Sequence, residues 1–438
     1  MADTPADNTL NREVAFVAER EIPAAAPPAR TSGVYLWAKE NLFSSPLNIA
    51  LSVISIAFIA WILPPAIQWA FVDAVWSADS LKGCREINPH GACWAMINER
   101  WMQYTFGFYP PELIWRPILC FFLMFAALAP VLFDRVPRNF LIFSVLFPFI
   151  AYWLIWGGSF WFVAGIVLGP VIGFLAFNTV HKIGGVLPAI VIGILVTLLW
   201  WGIGVGLFDD VLSAIIPLEL RSVSSDRLGG FLLTFIIGVT GIAASFPIGV
   251  LLALGRQSSL IFIKAVSVMF IEAMRGVPLI TLLFVASTVL NYFLPPGTTF
   301  DLVLRVLIMV TLFASAYMAE VVRGGLAALP RGQYEAAHAL GLDYWKSMRL
   351  IILPQALKIS IPGIVNTFIG LFKDTTLVII IGLLDPLGLT TTIRATQEWN
   401  GIVVEPYVFI AVFFFIFCFG MSQYSAYLER KLETGHRS

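Results

Sequence analysis

Long apolar runs separated by polar connections fill most of this chain. Runs able to cross a hydrocarbon layer of roughly 30 Å fall near residues 45–71, 113–133, 140–156, 159–178 and 183–206. A second set lies near 229–254, 259–294, 302–321, 361–384 and 406–427. Each predicts a helix, because only a helix satisfies its own backbone hydrogen bonds in lipid. The run 259–294 carries Arg275-Gly276-Val277-Pro278 near its middle, so it reads as one kinked crossing or two short ones. Counted as one, it gives ten spans, with both termini on the same side as the polar stretch 322–360. Seventeen Lys and Arg then lie on that side, against Lys82, Arg85, Arg100, Arg221, Arg227 and Arg394 on the other. That is the bias expected of a cytoplasmic face. Two crossings would move Arg323, Arg331, Lys346, Arg349 and Lys358 outside and erase much of it, so one crossing and cytoplasmic N- and C-termini are expected.

With 438 residues, 59% hydrophobic and 12% charged, the chain is far too apolar for a soluble globule, in which charged residues approach about a quarter. The fold class is an all-α polytopic membrane protein. A net charge of zero gives no global field for nucleic acid. Residues 1–44 read as a cytoplasmic tail, 45–206 as a five-span N-terminal bundle and 207–228 as a periplasmic linker. Residues 229–427 form a second five-span domain, and 428–438 a cytoplasmic tail. The outer loop 72–112 carries Trp76, Trp94, Trp101 and Tyr104 and is expected on the membrane surface, where amphipathic rings prefer to sit. No internal repeat links the halves.

Cys120 and Cys418 sit in apolar runs, where a thiol is a small hydrophobe. Cys84 and Cys93 lie in the outer loop, where an oxidising compartment could join them; two free thiols are the alternative. The histidines are scattered and form no metal-ligand spacing.

The polar stretch 322–360 contains EAAHALGLDYWKSMRLIILP from residue 335 to 354. It fits Glu-Ala-Ala, three residues, Gly, nine residues, Ile-x-Leu-Pro without a gap: Glu335, Ala336, Ala337, Gly341, Ile351, Leu353 and Pro354. This resembles the cytoplasmic loop by which bacterial ABC importer permeases grip their ATPase. GGFLLTFIIG at 229–238, EAMRGVPL at 272–279, SAYMAEVVRGGLAALPRGQYEAAHALG at 315–341 and FKDTTL at 372–377 are similar to the polar amino-acid permeases of the histidine/glutamine type. The long N-terminal half further resembles the larger permease of general L-amino-acid and glutamate/glutamine/aspartate/asparagine importers. The resemblance implies a type I ABC importer permease core behind an N-terminal five-helix extension, in a bacterial inner membrane. It also implies a second homologous permease, two ATP-binding subunits and a periplasmic amino-acid-binding protein as partners. No Gly-Lys dipeptide occurs, so this chain has no phosphate loop of the GxxxxGK[ST] kind. It is expected to bind no cofactor of its own, with ATP and Mg on the partner ATPase.

Glu335 to Leu340 are good helix formers, and Gly341 should end that helix in a left-handed conformation. Glu335, Ala336, Ala337 and Gly341 are expected to dock in the ATPase, with Leu353 beginning the return to the membrane and Pro354 redirecting the chain. An interfacial helix lying on lipid is the alternative. Charges inside spans are costly and usually kept for a pathway or a partner. Glu272 and Arg275, at i and i+3, are expected to pair beside a hinge at Gly276 and Pro278, either on the substrate pathway or as a structural ion pair. Glu320 and Arg323 repeat the spacing as a structural clamp. Lys373 and Asp374 cannot simply satisfy each other, so Lys373, Asp374, Thr375 and Thr376 are candidates for the carboxylate and ammonium of an amino acid. An intersubunit structural role is the other reading. The competing function is an ion-coupled secondary amino-acid transporter, which should show internal repeats.

Overall fold

A computed structural model of the chain describes residues 33–133, 135–289, 292 and 300–432. The expected terminal tails lie outside the described residues up to residue 32 and from residue 433. Among the described residues, nine helices are long and apolar enough to cross a membrane. A tenth crossing results if the bent pair Ile261–Gly276 and Leu279–Thr288 counts as one span.

The chain divides into two compact units, one ending at Ala74 and one starting at Val75. The first crossing of the expected five-span N-terminal bundle belongs to the first unit. That unit holds α1 (Val34–Asn41) and α2 (Pro46–Ile67), which Ser45 caps by accepting the Asn48 N–H at 3.2 Å. Pro64 and Pro65 remove two backbone donors, and the helix widens into a π-helical turn at Gln68–Val72. No residue of α2 is buried, and the helix is apolar on nearly every side.

In the second unit the outer loop is folded. It comprises α3 (Leu81–Ile87) and α4 (Ala95–Phe106), joined by a Cys84–Cys93 disulfide with a Cα–Cα distance of 5.8 Å. Tyr104 and Met96 are completely buried in a cluster with Phe231, Ile393, Trp399 and Ile410. The loop is thus a cap on the C-terminal helices, seated through Tyr104, while Trp76 and Trp101 stay 55% and 49% exposed.

After the cap, α5 (Trp115–Leu132) and α6 (Leu141–Trp156) form an antiparallel pair. They pack through Cys120, Met124 and Phe147 into a cluster that includes Leu228 and Leu232. Buried Arg116 donates from Nη1 to the Arg221 carbonyl at 2.7 Å. Next, α7 (Phe160–Gly184) meets α8 (Val186–Leu199), where Gly173 and Gly193 bring the backbones together. The crossing then continues through a π-helical turn at Trp200–Gly204 into α9 (Val205–Ile215). Helix therefore extends well into the expected 207–228 linker, because Asp209 is satisfied there by the hydroxyls of Ser159 and Ser213. A two-residue ladder, β1 (Gly158–Ser159) against β2 (Glu219–Leu220), closes this part antiparallel.

The C-terminal helices are α10 (Gly230–Arg256), α11 (Ile261–Gly276), α12 (Leu279–Thr288) and α13 (Leu302–Ala328). They continue with α14 (Arg331–Ala339), α15 (Tyr344–Ser347), α16 (Leu353–Asp374), α17 (Pro386–Arg394) and α18 (Val404–Leu432). The axis bends by 99° between α11 and α12, at the Val277-Pro278 step where the sequence placed its break. Helix α13 is the central post. A Cβ on Gly249 of α10 would sit 2.6 Å from Met318, and one on Gly363 of α16 2.8 Å from Val321, so side-chain-free positions set both approaches. The expected loop 322–360 is shorter in the fold. Val322 and Leu326 are buried against Ala356 and Ile352, which keeps α13 helical to Ala328 and lets α16 start at Leu353.

Candidate functional site

Three groups of residues meet the sequence expectations differently: the loop helix, the charges around Glu320, and the stretch after Phe372. Helix α14 ends in a complete Schellman motif. The Gly341 N–H donates to the His338 carbonyl at 2.9 Å, the Leu342 N–H to the Ala337 carbonyl at 3.3 Å, and Gly341 has φ +68°. Two residues on, the Asp343 carboxylate caps α15 by accepting the Lys346 N–H at 2.8 Å, which holds its pKa below the usual carboxylate range. The turn is thus fixed at both edges by backbone donors.

Glu335 and Ala336 are exposed, and so are Gly341, Tyr344 and Trp345. Ala337 is completely buried inside the chain, so of the two expected contact alanines only Ala336 is presented outward. Leu353 is half-buried and Pro354 exposed at the start of α16. Pro354 does not redirect the chain. The helix runs from Tyr344 through a π-helical turn at Met348–Ile352 into α16, and Pro354 follows directly on that widened turn. Gln355 on α16 donates to Gln333 on α14 at 3.0 Å, tying the loop helix to the span behind it.

Glu272 and Arg275 do not pair with each other. Arg256, at the end of α10, takes Glu272 at 3.0 Å and Glu320 at 2.7 Å. Glu320 also holds Arg323 at 3.0 Å and Arg275 at 3.7 Å, and the Arg275 guanidinium lies over the Tyr317 ring. One carboxylate on the central post therefore gathers three arginines from α10, α11 and α13. Arg256 is the member that sequence spacing missed, because its partners are 16 and 64 residues away. The local clamp between Glu320 and Arg323 is present as expected.

Lys373 and Asp374 end α16, and a 3-10 helix from Thr375 to Ile381 follows, closed by left-handed Gly382. Among the described residues neither charge forms an ion pair within 4.0 Å. Lys373 is exposed, Asp374 half-buried and Thr375 completely enclosed, its hydroxyl donating to the Phe372 carbonyl at 2.7 Å. Thr376 likewise donates to the Lys373 carbonyl at 2.9 Å. Both hydroxyls donate to local backbone and keep only acceptor capacity, which leaves Lys373 as the side-chain donor of this quartet.

Beneath the cap, Tyr104 of α4 is 3.0 Å from the Thr390 hydroxyl on α17, and burial pushes its phenol up to about 12. The Cys93 N–H donates to Glu405 in the first turn of α18 at 3.0 Å. Asp385 caps α17 by accepting the Gly388 N–H at 2.9 Å. It is wholly buried, and that burial raises it to about 6. The Tyr104 and Cys93 contacts have no signature in local sequence, whereas Asp385 before Pro386 is a helix-start signal.

Residues 245–434 match the family described as binding-protein-dependent transport system inner membrane components. The glutamate/glutamine/aspartate/asparagine transport system permease protein BztC of Rhodobacter capsulatus is 52% identical to this chain over 97% of it and 100% of itself. The inner membrane amino-acid ABC transporter permease protein YhdY of Escherichia coli is 40% identical over 92% of this chain and 95% of its own length. The probable glutamine ABC transporter permease protein GlnM of Bacillus subtilis, 31% identical, covers 94% of itself but 48% of this chain. The short relative thus lacks room for the cap and α5–α9, whereas the two long ones span them.

Proposed function

From the premise that this chain belongs to the amino-acid ABC transporter permeases, inner membrane components of binding-protein-dependent transport systems, we propose that it carries polar L-amino acids inward by alternating access. The observation that carries this reading is the 52% identity to an acidic-amino-acid and amide permease over nearly the whole chain. Acidic amino acids and their amides are accordingly the first substrates to try. The complex would be a heterodimer of this chain and a second permease, with two ATPase subunits on the α14 side and a soluble amino-acid-binding protein on the cap side. Two observations support that orientation: the disulfide stands at the cap end, where an oxidising compartment preserves it, and basic residues concentrate at the other end.

In this reading ATP and Mg sit on the partner subunits, and their work enters through Glu335, Ala336 and Gly341. Helix α14 is short and firmly ended, so a push on it moves as a body into α16 through Gln333 and Gln355. The arginines around Glu320 tie the inner ends of α10, α11 and α13, so these helices tilt together. Asp374 would face the substrate ammonium and Lys373 its carboxylate, an arrangement whose charges need not pair with each other when the site is empty. Reconstitution of the purified complex in vesicles tests the whole scheme. Uptake of radiolabelled L-glutamate or L-glutamine should require ATP inside and the binding protein outside, and Asp374→Asn should reduce it strongly. Uptake by this chain alone, driven by an ion gradient without nucleotide, would sink the reading in favour of a secondary transporter.

A further inference from the structure

Helices α7 and α8 leave an open groove of about 430 Å³ along their seam. It is lined by Gly173, Phe174 and Phe177 on α7, by Ile190 and Ile194 on α8, and by Trp201 in the π-helical turn beyond. We propose that this groove holds one acyl chain of an anionic phospholipid, whose phosphate is received at the turn between the two helices. The site lies outside the coupling loop and the candidate substrate charges, and it needs only a chain that spans a membrane.

The lining selects an apolar occupant. Its one hydroxyl, on Thr197, donates to the Gly193 carbonyl of its own helix at 2.9 Å, and the Trp201 indole N–H donates to the Ile166 carbonyl at 3.0 Å. The lining side chains thus leave no donor for a polar ligand. Buried Gly173 and Gly193 form the floor, while Phe174, Ile194 and Trp201 stand exposed along the rim. From Ile190 to Trp201 a helix rises about 16 Å, which is about half of a hydrocarbon layer roughly 30 Å thick. The groove therefore has the length of one leaflet, the span that a single acyl chain occupies.

Charge gathers at one end of it. Phe174, Phe177 and His181 follow one face of α7 and stack in sequence, with centroids 6.5 Å apart in the first pair and 5.6 Å in the second. This ladder carries the groove wall to exposed His181 and Lys182, and among the described residues Lys182 has no acidic partner within 4.0 Å. Gly185, at φ +82°, turns the chain and has no side chain to cap α8, so the first N–H groups of that helix also point toward the turn without a side-chain acceptor. A phosphate set there meets a lysine ammonium, an imidazole N–H and a helix N-terminus, the kind of basic setting between membrane helices that receives lipid headgroups. Its acyl chain then follows the aromatic ladder into the groove.

The test places benzoylphenylalanine at Leu198, an exposed residue of the lining, in the complete importer held in nanodiscs of phosphatidylglycerol and phosphatidylcholine with the same acyl chains. Mass spectrometry of the photoadducts should show phosphatidylglycerol on the order of fivefold above its share of the bilayer, and Lys182→Glu should return it to that share. Lys182→Gln, a milder change, should lose most of the same enrichment. An unchanged melting temperature in phosphatidylcholine alone reports that a variant is folded, and enrichment that survives in both folded variants would overturn the headgroup site. Adducts in bulk proportion on the wild-type chain would reduce the groove to ordinary lipid contact and overturn the proposal, as would adducts to the second permease or to α2. Loss of the enrichment on adding millimolar inorganic phosphate would assign the turn to a free anion and overturn the lipid.

Discussion

The two ends of the second unit are held by opposite kinds of chemistry. At the cap end a disulfide closes the cap on itself, and buried aromatic rings and hydrogen bonds join the cap to α17 and α18. At the α14 end a different set of helices, α10, α11 and α13, is joined by ion pairs of partly exposed Arg256, Arg275 and Arg323 with Glu320, and exposed Tyr344 and Trp345 stand outside. Covalent and apolar contacts are lost only when a region opens. Partly hydrated ion pairs can exchange partners at small cost. In the proposed cycle the cap end keeps its shape, and the α14 end changes partners while a push passes through it.

The largest expected effect breaks that comparison at the α14 end. Gly341→Asp should abolish ATP-driven uptake and copurification of the ATPase. A Cβ there meets nothing within 4 Å in the chain itself, and the strain of a side chain at φ +68° is confined to the loop turn, so membrane insertion should persist. Copurification at the normal ratio would defeat the docking role. At the cap end, Cys84→Ser with Cys93→Ser should cost about 2–4 kcal/mol of stability. It is read as a lower melting temperature of the purified complex, and an unchanged value would mean that the buried cluster holds the cap unaided.

Glu320→Gln leaves three arginines around a neutral amide and should cost about 1–3 kcal/mol. If the α14 end does exchange partners, the same variant should also raise ATP hydrolysis in the absence of binding protein. A variant that is less stable but still fully coupled would make the network a plain structural clamp.

The smallest effect sharpens the contrast through pH. Burial raises Asp385 from 3.8 to about 6, so the folded chain holds this proton more tightly than the unfolded one. Its folded-state advantage is full below the unfolded value and is lost as pH rises through about 6. Asp385→Asn keeps the cap of α17 and removes the buried charge. Its melting temperature relative to wild type should therefore climb between pH 4 and 7, by about 2 kcal/mol in stability terms. A difference that stays flat over that range would show the carboxylate to be neutralised by a contact of its own.

Much of this architecture was legible in the chain. Apolar run lengths marked every crossing, Val277-Pro278 marked the bend, and Gly341 marked the end of α14, because each depends on backbone chemistry within a few residues. The pattern Glu335, Ala336 and Gly341 was legible for the same reason. Helix ends were less so. Val322, Leu326 and Asp209 stay in helices past the expected boundaries because neighbours in space bury or satisfy them.

Sequence by itself determined that this is a helical membrane protein, where its helices break, and which loop carries the coupling pattern; these follow from local hydropathy and dihedral preference. Only the tertiary structure decided that the outer loop is a cap, that Ala337 turns inward, and that Glu272 and Arg275 find their partners on α10 and α13. Such outcomes are competitions among contacts far apart in the chain. Tyr104 with Thr390 and Arg256 with Glu320 are separated by 286 and 64 residues, and no local preference ranks one distant partner above another.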